Sequence, residues 1–167
     1  MNSITIRALL GACFALAWHS CPAAQVKSEV VHVRAVTTGV LGSGGVTIPQ
    51  LFVLNGDGSV ILEGKKGASQ SIPPVIAALR KPAKPAKPGT PVKLPPISKL
   101  LADHGTRFRS GDRPIIVSLE SGTTVGACTA CTNYLPKLEA ALRAMNTDVR
   151  WIRVNIERND YKPVATK

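Results

Sequence analysis

Apolar and polar positions follow each other along the chain in patterns that predict five strands. Alternation over residues 29–36 (EVVHVRAV) predicts a half-buried strand. Two short, mostly apolar segments, residues 51–54 and 60–63, are joined by a turn that contains Asn-Gly-Asp-Gly, which predicts a β-hairpin. The continuous apolar run at residues 114–119 is typical of a central strand covered on both faces. Residues 149–156 predict the last strand.

Helical spacing occurs between these strands. Residues 69–80 predict a helix with Ser71 as its N-cap and prolines in the first turn, and residues 97–104 predict a second helix that stops at Gly105. A third helix, ending near Asn146, has its apolar side chains at a 3-4-3 spacing: Leu135, Leu138, Leu142 and Met145. Strands and helices in this mixture predict an α/β fold.

Residues 1–24 have the layout of a secretory signal peptide. Arg7 is their one charge, residues 8–18 are apolar, and the segment closes on Ala23 and Ala24. An uncleaved anchor is the alternative, whereas lipidation at Cys13 is disfavoured because the apolar stretch before it is short. No second apolar segment of spanning length follows, so we expect a periplasmic or secreted protein without stable membrane insertion after cleavage.

The net charge of +11 does not indicate a nucleic-acid partner. Residues 81–96 (KPAKPAKPGTPVKLPP) hold six prolines and four lysines, so part of the excess charge lies in an extended linker. Aromatic residues make up only 4% of the chain, which leaves little for a base-stacking platform. We therefore expect no nucleic acid among the partners, and we interpret the lysines as part of a solvated linker or as a contact for an anionic partner.

Cleavage after Ala24 would remove two of the four cysteines and leave Cys128 and Cys131, in the sequence Cys-Thr-Ala-Cys. A disulfide that closes so short a loop restricts the unfolded chain little, so a purely structural role explains little. The pair follows a buried strand and opens a helix, whose N-terminal N–H groups favour a thiolate. Cys128 is thus predicted to attack a disulfide, and Cys131 to resolve the mixed disulfide.

Two segments are similar to the thioredoxin superfamily. The sequence ACTACTNYLPKLEAAL resembles the active-site helix of that family, including Pro136, eight positions after the first cysteine. VTIPQLFVLNGDGSVILEGKKG resembles the segment in which a cis-proline opens a β-hairpin that leads into the last helix. The resemblance implies that Pro49 is the cis-proline, that the backbone of Ile48 faces bound substrate, and that Gly67 precedes the final helix.

The two resembling segments occur in the reverse of the usual order. The family places the cysteines first, whereas here a cis-proline hairpin half (residues 25–80) precedes the linker (81–96) and a CxxC half (97–167). This order is expected of a circularly permuted thioredoxin-like fold, with a mixed central sheet flanked by helices.

Three positions depart from the family pattern. Ala127 replaces the usual aromatic residue before the first cysteine, and Ser118 occupies the place of the buried acid, although Glu120 could serve. The dipeptide Thr129-Ala130 does not identify the direction of electron flow. His32 and His104 could be drawn with the cysteines as a metal site, but only one closely spaced ligand pair exists, so we expect no metal and no cofactor.

Two functions remain as hypotheses. The first is an exported thiol-disulfide oxidoreductase that exchanges disulfides with envelope or secreted proteins and needs an unidentified redox partner. The second is a non-enzymatic thioredoxin-like interaction module, accessory to an envelope secretion or conjugation assembly. A Cys128→Ser substitution separates the two, because only the first requires the sulfur.

Overall fold

The computed structural model describes residues 26–37, 48–63, 72–80, 94–145, 148–160 and 162. The predicted signal peptide, the N-cap Ser71, Gly67 and most of the linker lie outside these residues. The strands are β1 (Val26–Arg34), β2 (Gln50–Leu54), β3 (Val60–Glu63), β4 (Ile115–Ser121) and β5 (Val149–Glu157). The helices are α1 (Ile72–Leu79), α2 (Pro96–Asp103) and α3 (Thr129–Arg143).

The five strands form one mixed sheet in the order β1-β5-β4-β2-β3. β5 is parallel to both β1 and β4, whereas β2 is antiparallel to β4 and to β3. The hairpin β2–β3 and the strand β4 thus belong to the same sheet, although the linker separates them in sequence. The predicted α/β class with a mixed sheet agrees with this architecture.

Each face of the sheet carries its own buried cluster. In β4, Val117 belongs to the cluster that includes Leu101 of α2, whereas its neighbour Ile116 belongs to the cluster that includes Leu138 of α3. All four of these side chains are completely buried. The continuous apolar run of β4 is therefore explained by helices on both sides, as predicted.

The hairpin turn follows the predicted residues closely. The N–H of Gly58 donates to the carbonyl of Asn55 at 2.9 Å, and Gly58 has a φ of 85°, which favours glycine. The Asp57 carboxylate accepts hydrogen bonds from the backbone and the hydroxyl of Ser59, at 2.9 and 2.7 Å. This turn directs β3 back along β2, and β3 has the predicted bounds.

β1 differs from its prediction at both ends. It runs from Val26 to Arg34 rather than over residues 29–36, because it pairs with β5 along its full length, from Val26 opposite Val149 to Arg34 opposite Glu157. The extra residues at its start are mostly polar and exposed, which an edge strand tolerates because its backbone supplies the pairing. Apolar alternation alone therefore misplaced the strand by three residues at its start and two at its end.

The helices begin and end near the predicted residues. α2 begins one residue before the predicted start, and His104 is its C-cap, with Nδ1 bonded to the Leu100 carbonyl at 2.9 Å. Gly105 follows with a φ of 88°. Within the parts of the chain that the structure describes, none of the helices has the length and apolar character of a membrane span.

Candidate functional site

Cys128 and Cys131 lie at the N-terminus of α3, where they form a disulfide with a Cα–Cα distance of 5.1 Å. Cys128 is the N-cap residue, and its Sγ accepts a hydrogen bond from the backbone N–H of Cys131 at 3.0 Å. Cys131 is only 6% exposed, whereas Cys128 is half-buried. The outer sulfur is thus accessible and sits against free helix N–H groups, while the inner sulfur is shielded.

The rest of α3 fixes these sulfurs to the sheet. Leu135, Leu138 and Leu142 are buried in the same cluster as Cys131, and Met145 packs partly buried against it. Pro136 lies inside the helix. Because proline has no N–H, it cannot donate the helical hydrogen bond to the residue four positions before it.

The structure brings Ile48 and Pro49 to the edge of the sheet from which the cysteine loop starts. The Ile48–Pro49 peptide bond is cis, as predicted. Gln50, the next residue, pairs with Leu119 near the carboxyl end of β4. Ile48 and Cys128 are both partly buried and pack against the same hydrophobic cluster. Ile48 and Cys128, which are 80 positions apart in sequence, therefore pack in one region of the fold.

A groove of about 560 Å³ opens beside the disulfide. It is bounded by the loop after β4, by the first turns of α3, and by one face of β5. Both cysteines line it, together with Glu120, Arg153 and Asn155. The inner sulfur therefore shares a solvent-connected space with a carboxylate and a guanidinium group.

A polar network lies beside this groove, and its members Glu120, Trp151 and Arg153 line the groove. Trp151 Nε1 donates to Ser118 Oγ at 2.9 Å, and that hydroxyl donates to Glu120 Oε1 at 2.6 Å. Arg153 completes the network through Nε and Nη2, which reach the Glu120 carboxylate at 2.9 and 2.6 Å. The hydrogen bond with Glu120 raises the pKa of Arg153 above its ordinary value, although burial acts in the opposite direction.

Sequence reasoning missed Arg153 and left Ser118 and Glu120 as alternatives. The structure joins all three, because Ser118 lies opposite Arg153 in the pairing of β4 with β5. The residues i and i+2 of each strand point to the same face, so Ser118 with Glu120, and Trp151 with Arg153, could have been grouped from the alternation of each strand. The register of β4 against β5, which brings the two groups together, cannot be predicted from the alternation within either strand.

The two histidines considered as metal ligands have other partners. His32 Nδ1 lies 2.9 Å from Glu157 Oε1, and His104 is bonded to its own helix. Among the residues that the structure describes, no three His, Cys, Asp or Glu side chains are grouped so that they could hold a metal ion.

Tyr134, one turn after Cys131, provides a spectroscopic test of how α3 packs. Burial raises its pKa to about 12, because the phenolate loses hydration. We expect a near-ultraviolet absorbance titration of a Tyr161→Phe variant, which retains Tyr134 alone, to show ionisation near pH 12. The folded protein favours the neutral phenol, whereas an exposed tyrosine in the unfolded chain ionises near pH 10. The free energy of unfolding therefore falls as the pH rises above about 10. Ionisation near pH 10 in the folded protein would show that this face of α3 is solvated.

Comparisons of the chain with protein-family models, curated proteins and solved structures found no match.

Proposed function

We propose that this protein is an exported thiol-disulfide oxidoreductase with a circularly permuted thioredoxin-like fold. The observation that carries the proposal is the position of Cys128: it caps α3, accepts the Cys131 N–H, and pairs with a shielded second sulfur beside an open groove. A helix N-terminus favours the thiolate that disulfide exchange requires. The cis bond at Pro49, on the sheet edge next to the cysteine loop, supports the resemblance to the family.

The proposed reaction uses both sulfurs in sequence. In the reducing direction, the Cys128 thiolate attacks one sulfur of a substrate disulfide, forms a mixed disulfide, and releases the other substrate sulfur as a thiolate. The Cys131 thiolate then attacks Cys128 Sγ, closes the internal disulfide, and releases the second substrate thiol. The substrate gains two electrons and the protein loses two, so a separate thiol-disulfide partner must reduce it again. The oxidising direction is the reverse of these steps.

Two further roles follow within this proposal. Ile48 would offer its backbone to an extended substrate segment, held in place by the buried Pro49 at the start of β2. Glu120 would take up the proton of Cys131 as the internal disulfide closes, because its carboxylate lines the same groove. Ser118 and Arg153 orient that carboxylate through the hydrogen bonds described above.

The proposed setting is the periplasm or the extracellular space, with thiols and disulfides of other proteins as substrates. Cysteines that remain paired as a disulfide are expected in oxidising compartments. The alternative, an interaction module in which the cysteines serve no redox purpose, has no distinct observation in its favour.

Turnover of protein disulfides tests the proposal. We expect the protein, with dithiothreitol as reductant, to accelerate the reduction of insulin, or with a glutathione buffer to reactivate scrambled ribonuclease. Both assays are compared with a Cys128→Ser, Cys131→Ser double variant, which keeps the fold elements but has no thiol at the site. Rates equal to those of the double variant in both assays would reject the oxidoreductase in favour of the interaction module.

A further inference from the structure

The loop that carries Cys128 is tied to the end of β5. This loop, residues 122–127, connects β4 to α3 and is mostly exposed. Its first residue, Gly122, donates its N–H to the Ile156 carbonyl at 2.8 Å. At its other end, the Gly126 carbonyl accepts the Ser121 hydroxyl at 2.7 Å. These contacts fix the ends of the loop and leave its middle to a different group.

That group is the carboxylate of Glu157, the last residue of β5, which is completely buried. Its Oε2 accepts both the backbone N–H and the hydroxyl of Thr124, at 3.0 and 2.5 Å. Its Oε1 lies 2.9 Å from Nδ1 of His32 on the adjacent strand β1. A Cβ atom at Gly122 would overlap the carboxylate, so the loop backbone lies directly against it. The middle of the loop is therefore held by the Glu157 side chain, and the backbone N–H of Arg158 also donates to the Thr124 hydroxyl, at 2.9 Å.

Burying the charged carboxylate of Glu157 costs free energy, because the carboxylate loses its hydration. Burial opposes ionisation and would raise the pKa of Glu157, but hydrogen bonds from Thr124, His32 and the Thr123 backbone outweigh this effect and lower it. The anchor is thus charged at neutral pH, and hydrogen bonds to a charged acceptor are about twice as strong as neutral ones. These strong hydrogen bonds fix the position of Thr124, which lies four residues before the nucleophile Cys128.

We propose that Glu157 is a positioning residue for Cys128: held by His32, it fixes Thr124 and thereby the loop that presents the nucleophilic sulfur. This inference rests on the proposed function, because it holds that Glu157 positions Cys128 for disulfide exchange. Nucleophilic attack depends steeply on placement, so a loop free to shift by about 1 Å loses rate without losing its fold. Glu157 acts through the loop and does not contact the reacting sulfurs.

The test measures the second-order rate constant with which the reduced protein attacks the disulfides of insulin, a substrate that must be oriented at the site. Thr124→Val removes the hydroxyl that donates to Glu157 and accepts the Arg158 N–H, and should lower the second-order rate constant about tenfold. Thr124→Ser keeps the hydroxyl and should restore the rate to within about twofold of wild type. Thr37→Val is the matched control, because its hydroxyl bonds the Arg34 carbonyl outside this network. Urea midpoints of all variants show whether folding is preserved.

A second variant covers the case in which Thr124→Val does not fold. Glu157→Gln keeps the shape of the anchor but replaces charged hydrogen bonds by neutral ones, so we expect a rate at least about threefold below wild type. Equal rates for wild type and the folded variants would overturn this inference and leave the proposed function intact. A wild-type protein that does not react at all would instead overturn the proposed function, and this inference with it.

Discussion

Replacing Cys128 with serine will lower the turnover of protein disulfides at least about 10³-fold. Serine keeps the shape of the N-cap, but its hydroxyl is not ionised at neutral pH and forms no disulfide. The loss should appear in insulin reduction and in the trapping of substrates from an envelope extract. The urea midpoint should be compared with that of the reduced wild type, because both lack the internal disulfide.

Cys131→Ser serves as the matched control for Cys128→Ser. We expect Cys131→Ser to trap substrates and Cys128→Ser to trap none. Cys131→Ser keeps the nucleophile and removes the resolving thiol, so mixed disulfides with substrates should accumulate on Cys128 and disappear on addition of dithiothreitol. Trapping by Cys128→Ser but not by Cys131→Ser would mean that the two roles are reversed. Full biological function in a Cys128→Ser strain would favour the interaction module.

Leu138→Ala in α3 will cause a large loss of stability. Leu138 is completely buried in the cluster that also contains Cys131 and Trp151. Truncating such a side chain removes apolar contacts and leaves a cavity, so we expect the free energy of unfolding to fall by about 3 kcal/mol. Urea denaturation of the disulfide-bonded form measures the change.

The neighbouring Lys137→Ala is the control, because Lys137 is exposed and its truncation should alter stability by less than about 0.5 kcal/mol. A loss of less than about 1 kcal/mol for Leu138→Ala would contradict the packing of α3 on the sheet. In that case the burial of Cys131 would also need revision, since the same helix face carries both side chains.

Local sequence signals located most of the elements that surround the site. The Asn-Gly-Asp-Gly turn defined the hairpin, and β3 has its predicted bounds, Val60–Glu63. The Cys-x-x-Cys pair, followed by apolar residues at helical spacing, located the start of α3. β1 was predicted less well, since its ends are set by pairing with β5 rather than by its own side chains.

The polar environment of the cysteines could not be predicted in the same way. The contact between Glu120 and Arg153 joins residues 33 positions apart and depends on the register of β4 against β5. The contact between His32 and Glu157 joins residues 125 positions apart and depends on β1 lying next to β5. Neither the register nor the order of the strands can be predicted from the composition or the periodicity of a single strand.

The reduction potential of the Cys128–Cys131 pair tests the central claim most directly. Equilibration with glutathione or dithiothreitol buffers, followed by thiol alkylation and mass analysis, gives the fraction oxidised at each potential. A redox-active pair should titrate as one two-electron couple between about −270 and −120 mV, the span of thiol-disulfide oxidoreductases. A potential below about −300 mV, typical of structural disulfides, would contradict the account.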